Sequence, residues 1–266
     1  MEAREIGRLF EKVRANRPLV HHITNYVTVN DCANITLCAG AAPVMSHSRR
    51  ETGEMVAMAG ALVLNIGTLD TRQVEQMLAA GRKANTQGVP VVLDPVGAGA
   101  TRFRTKTSLR LLRELEVAVL KGNGGEIASL AGAGGKVRGV DSDGVGGKPE
   151  QITREYASRL GTVVAMTGPA DFLSDGRRTL RVDNGHPLMG RFSGSGCMAA
   201  SVTGAFAAVS KDRVAATAAA LAAFGVAGEK AAVRNTTPYG VRMAIFDELF
   251  NLSPAELAER ARVRKV

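Results

Sequence analysis

What most limits how this chain can fold is a rhythm. Short, largely apolar runs alternate with stretches of helical periodicity. The apolar runs fall at 19–23, 44–45, 61–66, 90–93, 117–120 and 162–166. The helical patterns lie at 27–39, 50–58, 72–86, 107–114, 126–131 and 150–160. A strand without a polar face is buried on both sides, and strands separated by helices join in parallel. The expected fold is therefore α/β, a mostly parallel central sheet with helices on both faces. Residues 171–182 break the rhythm, where Asp175-Gly176 between two short extended runs predicts an antiparallel hairpin. Beyond it the chain reads as helical at 196–209, 213–232, 241–249 and 254–262. The Gly- and Asp-rich stretch 132–147 reads as an exposed loop. No repeat or boundary divides 1–266, so a single domain is expected.

In an open α/β sheet, ligands bind beyond the carboxyl ends of the strands. Here those ends carry the polar residues. Asp94-Pro95 closes one strand, and the proline holds Asp94 extended, with its carboxylate beyond the sheet edge. Asp94 either caps a turn there or holds Mg²⁺ directly or through waters. Lys121-Gly122-Asn123-Gly124-Gly125-Glu126 leaves the next strand. Asn123 and Glu126 form a capping-box variant, or Glu126 reaches a metal beside Asp94 while Lys121 reaches phosphates. Thr167-Gly168 ends a third strand and offers a hydroxyl to a phosphate or ribose. His21 and His22 precede Asn25 on the first strand. As strand neighbours they point to opposite faces, so a structural role is expected rather than a metal site. Asn25 either caps the next helix or bonds a small ligand.

The most telling segment is Phe192-Ser193-Gly194-Ser195-Gly196-Cys197-Met198-Ala199. Small flexible residues run straight into an Ala-rich helix, so successive N–H groups and the helix dipole converge on one point. That is an anion hole with a thiol in it. The spacing matches GxGxxA, but it follows a hairpin late in the chain, which excludes a Rossmann reading. No GxxxxGK(S/T) occurs, so this is no P-loop enzyme. Cys197 is either a small buried residue or a thiol whose pKa the helix N-terminus lowers. Read alone, the segment leaves acyl and phosphoryl chemistry both open.

Composition narrows the field. The formal charge of +9 raises nucleic acid as a partner, but aromatics are 4% with no Trp, leaving little to stack on bases, so none is expected. A basic surface equally attracts small anions such as nucleotides. Three cysteines without CxxC spacing fit neither a disulfide framework nor a zinc site. The N-terminus reads as a charged amphipathic helix without a signal-peptide core, so a cytoplasmic location is expected. The apolar run 214–228 is Ala-rich and too short to span a bilayer, which suits a packed core helix rather than a membrane segment.

Several segments in this order resemble the hydroxyethylthiazole kinases of the ribokinase-like superfamily. They are PLVHHITNYVTVNDCAN, GAAPVMS, AGALVLNIGTL, VPVVLDPVGAGATRFRT, KGNGGEI, the MTG turn and NGHPLMGRFSGSGC. The resemblance implies ATP-dependent phosphorylation of the alcohol of 4-methyl-5-(2-hydroxyethyl)thiazole, with Mg²⁺, in thiamine biosynthesis or salvage. It also implies a homotrimer with active sites between subunits. By position, Met45 and Gly194 contact the thiazole, with Asn25 and Gly67 lining its pocket. Lys121, Asn123, Thr167 and Gly196 serve ATP, and Asp94 and Glu126 manage the metal. Cys197 stands where most of the superfamily carries the Asp of a GxGD motif as base. Ser193 and Ser195 are conservative departures in the anion hole. Position 121 is often Arg in the family, and Lys keeps the charge without the bidentate fork. Hydroxymethylpyrimidine kinases, pyridoxal kinases and nucleotide-dependent hydrate dehydratases share the fold but carry the Asp, so Cys197 argues against all three.

Overall fold

The computed structural model describes residues 2–133 and 148–266. Six parallel strands form most of one sheet: β1 Leu19–Ile23, β2 Ala42–Met45, β3 Ala61–Asn65, β4 Val91–Asp94, β5 Val119–Asn123 and β6 Val163–Thr167. Three antiparallel strands complete it: β7 Asp171–Ser174, β8 Thr179–Val182 and β9 Val263–Lys265. The order across the sheet is β2-β1-β3-β4-β5-β6-β7-β8-β9. The hairpin predicted at Asp175-Gly176 is present, and Gly176 there has φ +89°.

Side chains alternate between two cores because successive strand residues face opposite ways. Val20, Val63, Val92, Val119 and Val163 pack beneath α1 (Ala3–Asn16), α8 (Ser195–Val209) and α9 (Arg213–Arg234). Leu62, Leu64, Leu93, Leu120 and Val164 pack against the other layer. That layer holds α3 (Thr52–Met58), α4 (Thr71–Thr86), α5 (Arg102–Glu114), α6 (Gly124–Ala133) and α7 (Pro149–Leu160). Both faces are thus covered, as largely apolar strands require. Three further helices, α2 (Val29–Cys38), α10 (Pro238–Asn251) and α11 (Pro254–Arg260), complete the fold. Helix α9 runs past the apolar stretch 214–228 and by length and composition could cross a membrane, yet 89% of its most apolar window is buried inside the fold, as expected of a packed core helix. Small residues also set how closely α8 lies on the sheet: a Cβ on Gly204 would meet Val63 Cγ2 at 2.6 Å.

Several sequence boundaries move. The last helix ends at Arg260 instead of 262, and Val263–Lys265 pairs antiparallel with β8. This charged segment forms an edge strand whose Arg264 meets Asp183 at 3.3 Å, and charges on an edge discourage further strand addition. Helix α5 begins at Arg102 rather than 107, because the Thr101 hydroxyl caps it by accepting from the Arg104 N–H at 3.2 Å. Of the expected loop 132–147, residues 132 and 133 finish α6 and 134–147 lie outside the described residues.

Candidate active site

Parallel pairing brings the carboxyl ends of β1, β3, β4, β5 and β6 to one edge of the sheet. The N-terminus of α8 lies over them. Gly194 caps that helix in the left-handed region, φ +102°, and a Cβ there would stand 2.8 Å from Thr28 Cγ2. Conformation and space both call for glycine at this position. The first turn of α8 therefore directs its free N–H groups over the strand ends, as an anion site needs.

Cys197 projects from this turn into a hydrogen-bonded centre. Asn25 Nδ2 donates to its Sγ at 3.4 Å and Asn65 Nδ2 at 3.3 Å. Asn65 also donates to Asp94 Oδ2 at 2.9 Å and accepts from Asn25 Nδ2 at 2.8 Å. Lys121 is 2% exposed; its Nζ donates to the Gly196 carbonyl at 2.9 Å and lies 4.0 Å from Asp94 Oδ2. The structure thus brings Asn25, Asp94, Lys121, Gly196 and Cys197 together. It adds Asn65, to which the sequence reading assigned no role. The signal was available: Asn65 is the lone polar residue of β3 and stands in register with Asp94.

Burial dominates the electrostatics. It pushes the Asp94 carboxyl above the usual carboxylate range, helped by the nearby Glu126 charge and opposed by Lys121 and Asn65. It also pushes the Cys197 thiol up, with Asp94 adding to the effect against Thr28, Lys121 and Asn65. The push is upward, opposite to the lowering expected at a helix N-terminus, because desolvation and a neighbouring carboxylate both disfavour the thiolate. Both effects favour the neutral thiol.

Glu126 and Asn123 make the capping box. Asn123 Oδ1 accepts from the Glu126 N–H at 2.9 Å, and Glu126 Oε2 from the Asn123 N–H at 2.8 Å. The other Glu126 oxygen accepts from the Gly97 N–H at 2.8 Å, which ties the β4 exit loop to α6. Asp94 and Glu126 remain a pair of hard oxygen donors, the type that holds a divalent cation through its waters. No group of three or more His, Cys, Asp or Glu forms a metal cluster among the described residues.

Beside this centre lies a cleft of about 430 Å³ lined by Gly124, Pro149, Thr167, Gly168, Phe172 and Arg181, among others. The Thr167 hydroxyl donates to the Gly122 carbonyl at 3.2 Å. Asp171 accepts from the Gly168 N–H at 3.0 Å and is pushed up to about 7 by burial. Phe172 and Arg181, with the guanidinium 5.5 Å from the ring centroid, come from the hairpin and escaped sequence reading.

On the opposite flank, Gly67 packs so tightly on Asn25 that a Cβ would stand 2.8 Å from Asn25 Cβ. Arg104 holds this loop. It donates to the carbonyls of Ile66 at 3.0 Å, Gly67 at 2.6 Å and Val96 at 2.7 Å. Met45 ends β2, half-buried and in register with His22, outside the hydrogen-bonded centre. His21 donates to the Ser46 carbonyl at 2.7 Å and His22 to that of Val20 at 3.0 Å, so both serve the sheet, as expected.

Known proteins share this architecture. The model of the Hydroxyethylthiazole kinase family matches residues 10–255. A hydroxyethylthiazole kinase of Methanocella arvoryzae is 62% identical over 99% of both chains. The solved hydroxyethylthiazole kinase structure from Pyrococcus horikoshii superposes with a TM-score of 0.90 at 45% identity, covering 98% of each chain. A ribokinase-like superfamily protein from Enterococcus faecalis superposes at 0.64 with 12% identity, over 91% of this chain and 89% of its own, which shows the ribokinase-like fold. The likeness covers 98–99% of this chain. This chain therefore belongs to the hydroxyethylthiazole kinase family.

Proposed function

We propose that this chain, as a single ribokinase-like domain spanning 1–266, transfers the γ-phosphate of ATP to the hydroxyl of 4-methyl-5-(2-hydroxyethyl)thiazole. The products are the thiazole phosphate and ADP, in thiamine biosynthesis or salvage. The observation that carries the reading is the meeting of Cys197, Asp94 and Lys121 under the α8 N-terminus. It pairs an anion hole with a buried cation and a carboxylate, the parts phosphoryl transfer asks for.

Nucleotide occupies the cleft beside Thr167 and Gly168, with its phosphates reaching the N–H groups of Gly196 and Cys197. Asn123, whose side chain caps α6, borders the phosphates through its backbone. Lys121 offsets the charge on the transferred group. The thiazole ring lies on the Asn25–Gly67 side, with Gly194 above it and Met45 as an apolar wall. The alcohol oxygen bonds to the γ-phosphorus as the bond to the β,γ-bridging oxygen breaks and ADP leaves. A neutral thiol cannot hold the alcohol proton outright. Cys197 Sγ relays it instead, passing its own proton to a phosphoryl oxygen as it takes the alcohol's. In a loose transition state this transfer comes late and is worth about 10²–10⁴-fold.

The hard oxygens of Asp94 and Glu126, and the upward push that Glu126 exerts on Asp94, suit Mg²⁺ held with its waters and the phosphates. When bound, Mg²⁺ neutralises charge on the phosphate oxygens. Exposed apolar residues support a trimer with shared sites: Tyr26, just before α2, is 78% exposed and Tyr239 on α10 is 68% exposed. Helices α2 and α10 pack together, and Arg242 on α10 bonds Asp31 on α2 at 2.7 Å. The reading includes a cytoplasmic location.

The test is ADP release from Mg-ATP with the thiazole alcohol, hydroxymethylpyrimidine and pyridoxal in parallel. Turnover of the thiazole alcohol alone is expected, and its absence would sink the proposal. Light scattering that found a stable monomer would remove the shared-site part.

A further inference from the structure

Asn65 sits at the end of β3, 1% exposed, with every hydrogen-bonding position of its amide in use. Its orientation is fixed by chemistry. The Gly67 N–H can only donate, and it donates to Asn65 Oδ1 at 3.0 Å. The Thr28 N–H likewise donates to Asn25 Oδ1 at 3.0 Å, which makes Asn25 Nδ2 the donor to Asn65 Oδ1 at 2.8 Å. Two backbone N–H groups therefore set the polarity of the whole chain of bonds. Its output is a pair of amide donors, Asn25 and Asn65, both aimed at Cys197 Sγ. The second Asn65 hydrogen goes to Asp94 Oδ2 at 2.9 Å.

Resting on the kinase reading above, we infer that Asn65 is a positioning residue that orders the Cys197 proton. With two amides donating to the fold-facing side of the sulfur, the S–H hydrogen turns away from both, into the space before the α8 N-terminus. A thiol placed between two hydrogen-bond acceptors would split its hydrogen between inward and outward rotamers. Here the two side chains hydrogen-bonded to the sulfur are both donors, which favours the outward rotamer before substrate arrives. The relay then begins with its leaving proton already facing the phosphoryl group. The same amide holds Asp94, so one side chain registers the thiol against the carboxylate.

The test is a double-mutant cycle. Asn65→Ala removes the amide, and Asn65→Asp keeps the acceptor that holds Gly67 and Asn25 while deleting the donation to Cys197 and setting a second carboxyl against Asp94. In the otherwise unchanged protein each variant is expected to lower kcat by about 10- to 100-fold, with KM for ATP within about twofold. Asn65→Asp, which keeps Asn25 and Gly67 held, is expected to leave KM for the alcohol within about twofold as well. In the Cys197→Ala background the same changes are expected to cost several-fold less than in the unchanged protein, the remainder being the loss of the bond to Asp94. Equal losses in both backgrounds, or a loss confined to KM, would overturn the inference. A second readout needs no turnover: the Cys197 S–H stretch, from infrared difference spectra against Cys197→Ala. Asn65→Asp is expected to shift and broaden this band, and an unchanged band would also overturn the inference. A shifted band in a protein that leaves the thiazole alcohol untouched would retain the proton ordering and reject the substrate instead.

Discussion

The Lys121 ammonium donates to the Gly196 carbonyl at 2.9 Å, joining the end of β5 to the first turn of α8. A cation buried to 2% exposure is costly unless paired, and its partners here are one carbonyl and Asp94 at 4.0 Å. That spare capacity suits an incoming phosphate. Lys121→Met is expected to lower kcat/KM for ATP by about 10²–10³-fold, the scale for losing one preorganised charge donor. Initial rates with ATP varied at saturating alcohol check this; a change under threefold would contradict it.

How much of this was legible beforehand follows from locality. Asp94, Lys121 and Thr167 each end an apolar run, so position within a strand was enough to mark them. Asn65 acts through register with Asp94 and through a helix more than 130 residues later in the chain. A local window cannot display that. The first turn of α5 is solvent-facing apart from Arg104 and Thr105, so its apolar periodicity starts only after the helix does. Strand β9 is charged at two of its three positions, and only its pairing with β8 makes it a strand.

Cys197→Ala is expected to slow turnover by about 10²–10⁴-fold without abolishing it, since proton relay is one contribution among several. Cys197→Asp keeps a group that accepts from Asn25 and Asn65 and is expected to retain activity. Single-turnover rates separate the two variants from product release. An inactive, folded, ATP-binding Ala variant would point to an obligatory covalent role.

Arg104 bridges the exits of β3 and β4 through three carbonyls. Arg104→Met leaves those oxygens without their donor. The expected outcome is a KM for the alcohol raised about tenfold, kcat nearly unchanged, and a stability loss of about 1.5–3 kcal/mol. Arg104→Lys, able to reach fewer of them, is expected to fall between. Steady-state kinetics with thermal melting test this, and a fall in kcat alone would contradict it.

Asp171 gives a pH signature. Its carboxyl is pushed up to about 7 in the folded chain from an ordinary 3.8. Between those values the native state binds the extra proton, so stability falls as pH rises through the window and the penalty is complete above it. Asp171→Asn keeps an acceptor for Gly168 and removes the ionisation. At pH 8 it is expected to raise Tm by roughly 2–4 °C, and at pH 4 to leave it unchanged. Melting curves at both values decide, and equal shifts at the two would reject the assignment.

The missing side chain at Gly204 has a meaning for adaptation. Because α8 rests on β1 and β3 with no room for one added carbon, the helix carrying Cys197 cannot move closer to the sheet, and lifting it would open a void in the core. Accommodating a larger or smaller alcohol must therefore fall to the opposite wall, around Met45 and the loops holding Asn25 and Gly67. Substrate range can drift there, by changes in lining residues, while the phosphoryl-transfer end stays in register.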